Sequence, residues 1–212
     1  MSEGLRPLDP DEVSEAATRG AVLLDFRDLG PYCEARIPGA IFIAFSARSI
    51  PKHVPAVAPA PSRVVLIGEE DRVRQAGGWF DSAGGYDVLG RLAGGMDAWA
   101  AAGKPVEPLG RISVEALHER WSEDRAAFEL VDVREPFEWG LGVIEGAHLV
   151  SLGDLLGRIG EFSKDRELVF ICEQGLRSMT AASLFAGRGY ARASSVAEGF
   201  AAWFKAGHPV VE

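Results

Sequence analysis

The sequence predicts an α/β protein of two tandem three-layer domains, each a mainly parallel sheet flanked by helices. Three observations carry that expectation. The chain repeats itself once, each copy alternates short apolar runs with helical stretches, and the innermost runs are apolar without alternation. The repeat reads directly: Leu23-Leu24-Asp25-Phe26-Arg27 matches Leu130-Val131-Asp132-Val133-Arg134, and Ile37-Pro38-Gly39-Ala40 matches Ile144-Glu145-Gly146-Ala147, both at an offset of 107. Val65-Leu66-Ile67-Gly68 then aligns with Val169-Phe170-Ile171-Cys172 at an offset of 104, followed by Gly95–Trp99 with Gly199–Trp203 and Ala102–Val106 with Ala206–Val210. A period near 105 residues is too long for a solenoid, so each repeat is a whole domain, expected at 1–106 and 107–212. Two prolines and a glycine in Lys104–Arg111 mark the linker.

In the second copy Ser113 is expected to cap a helix running to about Glu123, since its hydroxyl satisfies an early amide. A strand follows at about Phe128–Val133, a turn at Glu135-Pro136, and a short strand near Ala147–Val150. Leu168–Ile171 is a continuous run of β-formers, the mark of a strand covered on both faces, with Cys172 as its last residue. Leu176–Gly187 reads as a helix, Ala193–Val196 as a strand, and Gly199–Ala206 as a final helix stopped by Gly207 and Pro209. Strands alternating with helices imply right-handed crossovers and a parallel sheet.

Composition narrows the function. Hydrophobic residues make up 47% and charged residues 25%, enough apolar material for a core. The net charge of −9 is shared by both halves, with 11 basic and 14 acidic side chains in 1–106 and 11 and 17 in 107–212. Neither half offers the cation cluster that phosphate backbones require, so nucleic acid is not an expected partner. No apolar run approaches the roughly 20 residues of a membrane span, and the N-terminus lacks the basic start and apolar stretch of a secretory signal. Two cysteines, Cys33 and Cys172, make no disulfide framework and fit a reducing cytoplasm. His148 and His208 have no partner at ligand spacing, so no metal is expected.

Ligands of open parallel sheets gather beyond the carboxyl ends of the strands. The segment there is Cys172-Glu173-Gln174-Gly175-Leu176-Arg177-Ser178, between a buried strand and a helix. Gly175 lets the loop curl, so that successive amides converge at the positive end of the next helix, and Arg177 adds a permanent cation. All three effects stabilise an anion on the Cys172 sulfur, the form in which a cysteine is a nucleophile. Only four residues separate Cys172 from Arg177, against five in loops resembling those of cysteine phosphatases and arsenate reductases, and this smaller loop suits a single sulfur better than phosphate.

The motifs LVDVREPFEW, VIEGAHLV, CEQGLRS and EGFAAWFKAGHPV, with LLDFRDLGPY, RIPGA and GGMDAWAAAGKPV in the first copy, resemble those of tandem rhodanese-domain proteins of the sulfurtransferase family. The resemblance covers nearly the whole chain. It implies a persulfide relay in which Cys172 takes the outer sulfur of a donor such as thiosulfate and passes it to a nucleophilic acceptor, cyanide or a thiol. Arg177 and the loop of Glu173, Gln174, Gly175, Leu176 and Ser178 would support the persulfide, and no metal or organic cofactor is needed. The expected partners are therefore a small-molecule donor and acceptor, with a protein acceptor as a further class. A rhodanese-like regulatory or binding module with little turnover stays open as the alternative.

The first copy has Gly68 in place of Cys172, followed by three carboxylates at Glu69-Glu70-Asp71, so it is expected to be catalytically silent and to act as a packing partner, with a ligand- or partner-sensing role as the alternative. Asp132 and Arg134 recur there as Asp25 and Arg27, which points to structural support rather than chemistry. Trp99 and Trp203 are expected in the cores, and Cys33 is expected to be incidental. Glu173 opposes an anionic donor beside the nucleophile, unless Arg158 and Lys164 reach the cleft to offset it.

Overall fold

The computed structural model describes residues 4–212. The first three residues of the N-terminal stretch read above lie outside it. The chain divides into two compact units, Met1–Pro108 and Leu109–Glu212, each with its own five-stranded sheet.

The first unit runs β1 (Pro7–Leu8), α1 (Pro10–Thr18), β2 (Val22–Asp25), α2 (Leu29–Glu34), β3 (Ile41–Phe42), α3 (Ser49–Val57), β4 (Ser62–Ile67), α4 (Glu70–Ala83), β5 (Tyr86–Leu92) and α5 (Gly95–Ala101). The second runs β6 (Gly110–Ile112), α6 (Val114–Glu123), β7 (Glu129–Asp132), α7 (Pro136–Trp139), β8 (His148–Leu149), α8 (Leu152–Leu155), a 3-10 helix at Leu156–Glu161, β9 (Leu168–Ile171), α9 (Leu176–Ala186), β10 (Ala193–Val196) and α10 (Gly199–Lys205). Strand order is β1-β5-β4-β2-β3 in one sheet and β6-β10-β9-β7-β8 in the other, and every pair is parallel. The predicted fold class holds in both copies.

In the second unit the Ser113 hydroxyl accepts from the Ala116 amide and starts α6 where the sequence places it. β9 lies at the centre of its sheet, and all four of its residues are buried. Its alternate side chains serve two cores, as a period of two requires. Val169 and Ile171 join Val114, Leu117, Trp121 and Trp203 on one face, while Phe170 meets Phe185 of α9 on the other, ring centroids 4.9 Å apart. The two repeated tryptophans are core residues with a second task. Each indole N–H donates to a carbonyl six residues on, Trp99 to Pro105 and Trp203 to Pro209, both at 2.9 Å. That bond folds the tail of each domain back onto its last helix.

Three expectations change. The turn at Glu135-Pro136 continues into one turn of helix, α7, because Glu135 and Glu138 cap its start reciprocally. The segment taken as a linker is largely built into the domains: Glu107 bridges to Arg36, and Gly110 and Arg111 belong to β6. Both exchanges satisfy backbone groups that a free linker leaves to water. His208 has a partner that spacing does not reveal, since its ring stacks on His118 with centroids 3.9 Å apart. Burial, with repulsion from His118, lowers the His208 pKa. No helix among the described residues is long and apolar enough to cross a membrane.

Candidate active site

Cys172 follows the central strand by one residue and is 1% exposed. Four residues, Cys172 to Gly175, carry the chain from β9 to the start of α9. Gly175 caps that helix at φ +84°, and a Cβ there would lie 2.1 Å from the Ala197 carbonyl oxygen. Only glycine allows the loop to press so closely against the segment that follows β10.

The N-terminus of α10 holds the other side of the loop. The Phe200 amide donates to the Cys172 carbonyl at 2.7 Å and the Ala201 amide to the Glu173 carbonyl at 3.2 Å. In a planar trans peptide the N–H lies opposite the C=O. The amides of Glu173 and Gln174 are therefore turned away from α10.

The predicted loop residues do come together, but Arg177 does not stand free. Its guanidinium forms a two-pronged ion pair with Glu138 of α7, at 2.5 and 2.7 Å. The Arg177 bonds hold the Glu138 carboxyl below its ordinary range, against the opposing effect of burial. Burial works to lower the Arg177 pKa, but the Glu138 bonds and attraction to Cys172 outweigh it and raise it. The hydrogen bonds of this cation thus go to Glu138 and not to the loop.

Behind the sulfur lie two buried hydroxyls. Ser178 Oγ is 3.4 Å from Cys172 Sγ and 2.8 Å from Ser195 Oγ on β10. Glu138 and Ser195 are not among the sequence-derived candidates. For Glu138 the available signal was its spacing of three from Glu135 around a proline, a capping-box pattern. For Ser195 there was none, because only the pairing of β10 with β9 brings it to the loop.

Asp132 and Arg134 form a fully buried pair, with Arg134 Nε and Nη2 donating to the carboxylate at 2.7 to 3.1 Å. Arg134 also donates to the Glu138 and Gly142 carbonyls, at 3.3 and 2.8 Å, and lies 3.6 Å over the Phe200 ring. The pair therefore ties the end of β7 to α7 and to the helix that braces the loop. Asp25 and Arg27 repeat it, with Arg27 donating to the Ala35 carbonyl. Desolvation pushes the Asp25 carboxyl up despite that partner. Arg158 and Lys164 are engaged elsewhere: Arg158 pairs with Glu161, and Lys164 sits 5.5 Å over the Tyr190 ring.

The corresponding place in the first domain is a cleft of about 350 Å³ bordered by Arg27, Gly68, Glu69, Glu70 and Arg91. Just two residues, Gly68 and Glu69, join β4 to α4 there. Gly68 has φ +149°, which strains any L side chain, a cysteine included. Cys33 lies half-buried in α2 of the same domain.

Both domains have relatives among known proteins. The model of the rhodanese-like domain matches twice, over residues 9–102 and 113–206. A sulfurtransferase of Allochromatium vinosum is 32% identical over 103 residues, which are 49% of this chain and 95% of that protein. The thiosulfate sulfurtransferase GlpE of Shewanella oneidensis is 33% identical over 78 residues, 37% of this chain and 77% of that protein. Among solved structures, a rhodanese-related protein from Thermoplasma volcanium aligns with 48% of this chain and 97% of its own, at 28% identity and a TM-score of 0.44. The chain belongs to the rhodanese-like domain family and carries the domain twice.

Proposed function

We propose that this protein is a sulfurtransferase that carries sulfane sulfur as a persulfide on Cys172. The observation that carries the reading is the setting of that thiol. It opens a four-residue loop at the carboxyl end of the central strand, pinned by α10, with two buried hydroxyls behind the sulfur and Arg177, paired with Glu138, on the helix that follows the loop.

In the first half-reaction the Cys172 thiolate attacks the outer sulfur of a donor such as thiosulfate. A new S–S bond forms, the donor's S–S bond breaks, and sulfite leaves with the electron pair. In the second, cyanide or a thiolate attacks the outer sulfur, and Cys172 regains its thiolate. No external oxidant or reductant enters, and two half-reactions of this kind give ping-pong kinetics.

The loop amides of residues 173–178 hold the anionic persulfide and Arg177, bonded to Glu138, contributes its positive charge only, while Asp132 and Arg134 brace the site without touching the reacting atoms. The first domain takes no part in the chemistry, because Gly68 supplies no thiol and its loop is two residues shorter. Thiocyanate formation from thiosulfate and cyanide tests the reading. It is expected to vanish in Cys172→Ala and persist in Cys33→Ala. Equal loss in both variants, or turnover without Cys172, contradicts it.

A further inference from the structure

The two serines behind the thiol form a chain that ends on the backbone. Ser178 Oγ is 3.4 Å from Cys172 Sγ, Ser195 Oγ is 2.8 Å from Ser178 Oγ, and the Val196 carbonyl oxygen is 3.4 Å from Ser195 Oγ. Both serines are fully buried, and they come from different elements, Ser178 from the first turn of α9 and Ser195 from the middle of β10. A buried hydroxyl is costly unless it is bonded, and an alanine would fill the same strand position without that cost.

A hydroxyl both donates and accepts, so this chain can run in either direction. With Cys172 as a thiol, S–H donates to Ser178, Ser178 to Ser195, and Ser195 to the Val196 carbonyl. A thiolate only accepts. The order then reverses, with Ser195 donating to Ser178 and Ser178 donating to the sulfur. The change needs two hydroxyl rotations and moves no heavy atom.

We propose that Ser195 is a positioning residue for Cys172. Acting through Ser178, it keeps the buried sulfur hydrogen-bonded both before and after ionisation. The inference rests on Cys172 being the nucleophile of the proposed reaction. The charged groups on the elements beside that thiol are Arg177 on α9, Glu173 in the loop, Glu135 and Glu138 at α7, and the Asp132–Arg134 pair at the end of β7, which pairs with β9. None of them changes in the variants below.

The test is the rate of iodoacetamide alkylation of Cys172 across pH, in the full chain carrying Cys33→Ala. Because a hydrogen bond that ends on an anion is stronger than one between neutral groups, the hydroxyl chain favours the thiolate. In Ser195→Ala the profile should therefore move to higher pH, and the rate at neutral pH should fall about 2- to 12-fold, the worth of one hydrogen bond. Ser195→Thr should restore the profile. In a Ser178→Ala background Ser195→Ala should add nothing, because the link is already cut. If Ser195→Ala does not fold, Ser195→Thr and Ser195→Val replace it as a pair of equal volume that differs in the hydroxyl. The inference is overturned if the Ser195→Ala profile superimposes on that of the parent. It is equally overturned if the full effect persists without Ser178, or if Thr and Val behave alike. Alkylation involves no sulfur transfer, so these outcomes stand apart from success or failure of the proposed activity.

Discussion

Replacing Gly175 with alanine sets a local clash against the integrity of the loop, and the structure supplies both the estimate and its control. A Cβ at Gly175 would lie 2.1 Å from the Ala197 carbonyl oxygen and 3.0 Å from its carbon. Both are backbone atoms and cannot swing aside. Since ordinary contacts begin at 3.4 Å, the loop or the Ala197 segment must retreat by 1 Å or more. Gly146 has almost the same backbone angle, φ +82°, with nothing within 4 Å of the same position. Placing an L side chain in this left-handed region costs about 1–2 kcal/mol, which is the whole expected effect of Gly146→Ala. Gly175→Ala adds crowding against rigid neighbours, about 1–3 kcal/mol more. At about 4–8 °C per kcal/mol for a domain of this size, Gly175→Ala should melt at least about 4 °C below Gly146→Ala. A 1 Å displacement of the nucleophile's loop should also cost about 100-fold in transfer rate, which Gly146→Ala should leave near wild type. Calorimetry of the full chain and thiocyanate formation read the two effects. Equal melting temperatures together with full activity in Gly175→Ala would refute the reasoning.

Two further outcomes follow from the charged groups behind the site. Asp132→Ala leaves Arg134 as a buried charge without its counterion and should cost about 3–5 kcal/mol, measured as an earlier denaturant transition of the second domain. An unchanged transition would remove the pair's structural role. For Glu138 the folded carboxyl titrates below its ordinary value, so its stabilising contribution is complete above the unfolded value and is lost as pH falls through the folded one. Wild type should therefore outlast Glu138→Gln in thermal melts at neutral pH, and the gap should close below about pH 4. A gap that widens on acidification contradicts the ion pair.

The repeat and the buried strands were legible because they depend on local pattern. Leu168–Ile171 and Ala193–Val196 form strands at the residues read from sequence, and Ser113 caps the helix it precedes. The loop from Cys172 to Ser178 was legible for the same reason, since its residues are consecutive. What was not legible depends on pairing between distant segments. Arg177 meets Glu138 across 39 residues, and Ser195 reaches Ser178 only because β10 lies beside β9. A cation read from sequence as available to substrate is in the structure already bound to a carboxylate. The same limit hid the pairing of His118 with His208 and the bridge from Glu107 to Arg36.

The central claim is that sulfur rests covalently on Cys172. Intact-mass spectrometry of the full chain after exposure to thiosulfate tests it most directly, with cyanide added afterwards. The account predicts a gain of one sulfur atom, mapped by peptide analysis to Cys172, absent in Cys172→Ala and removed by cyanide as thiocyanate. A chain that forms thiocyanate while Cys172 never carries the added sulfur, or that carries it on Cys33, would contradict the account.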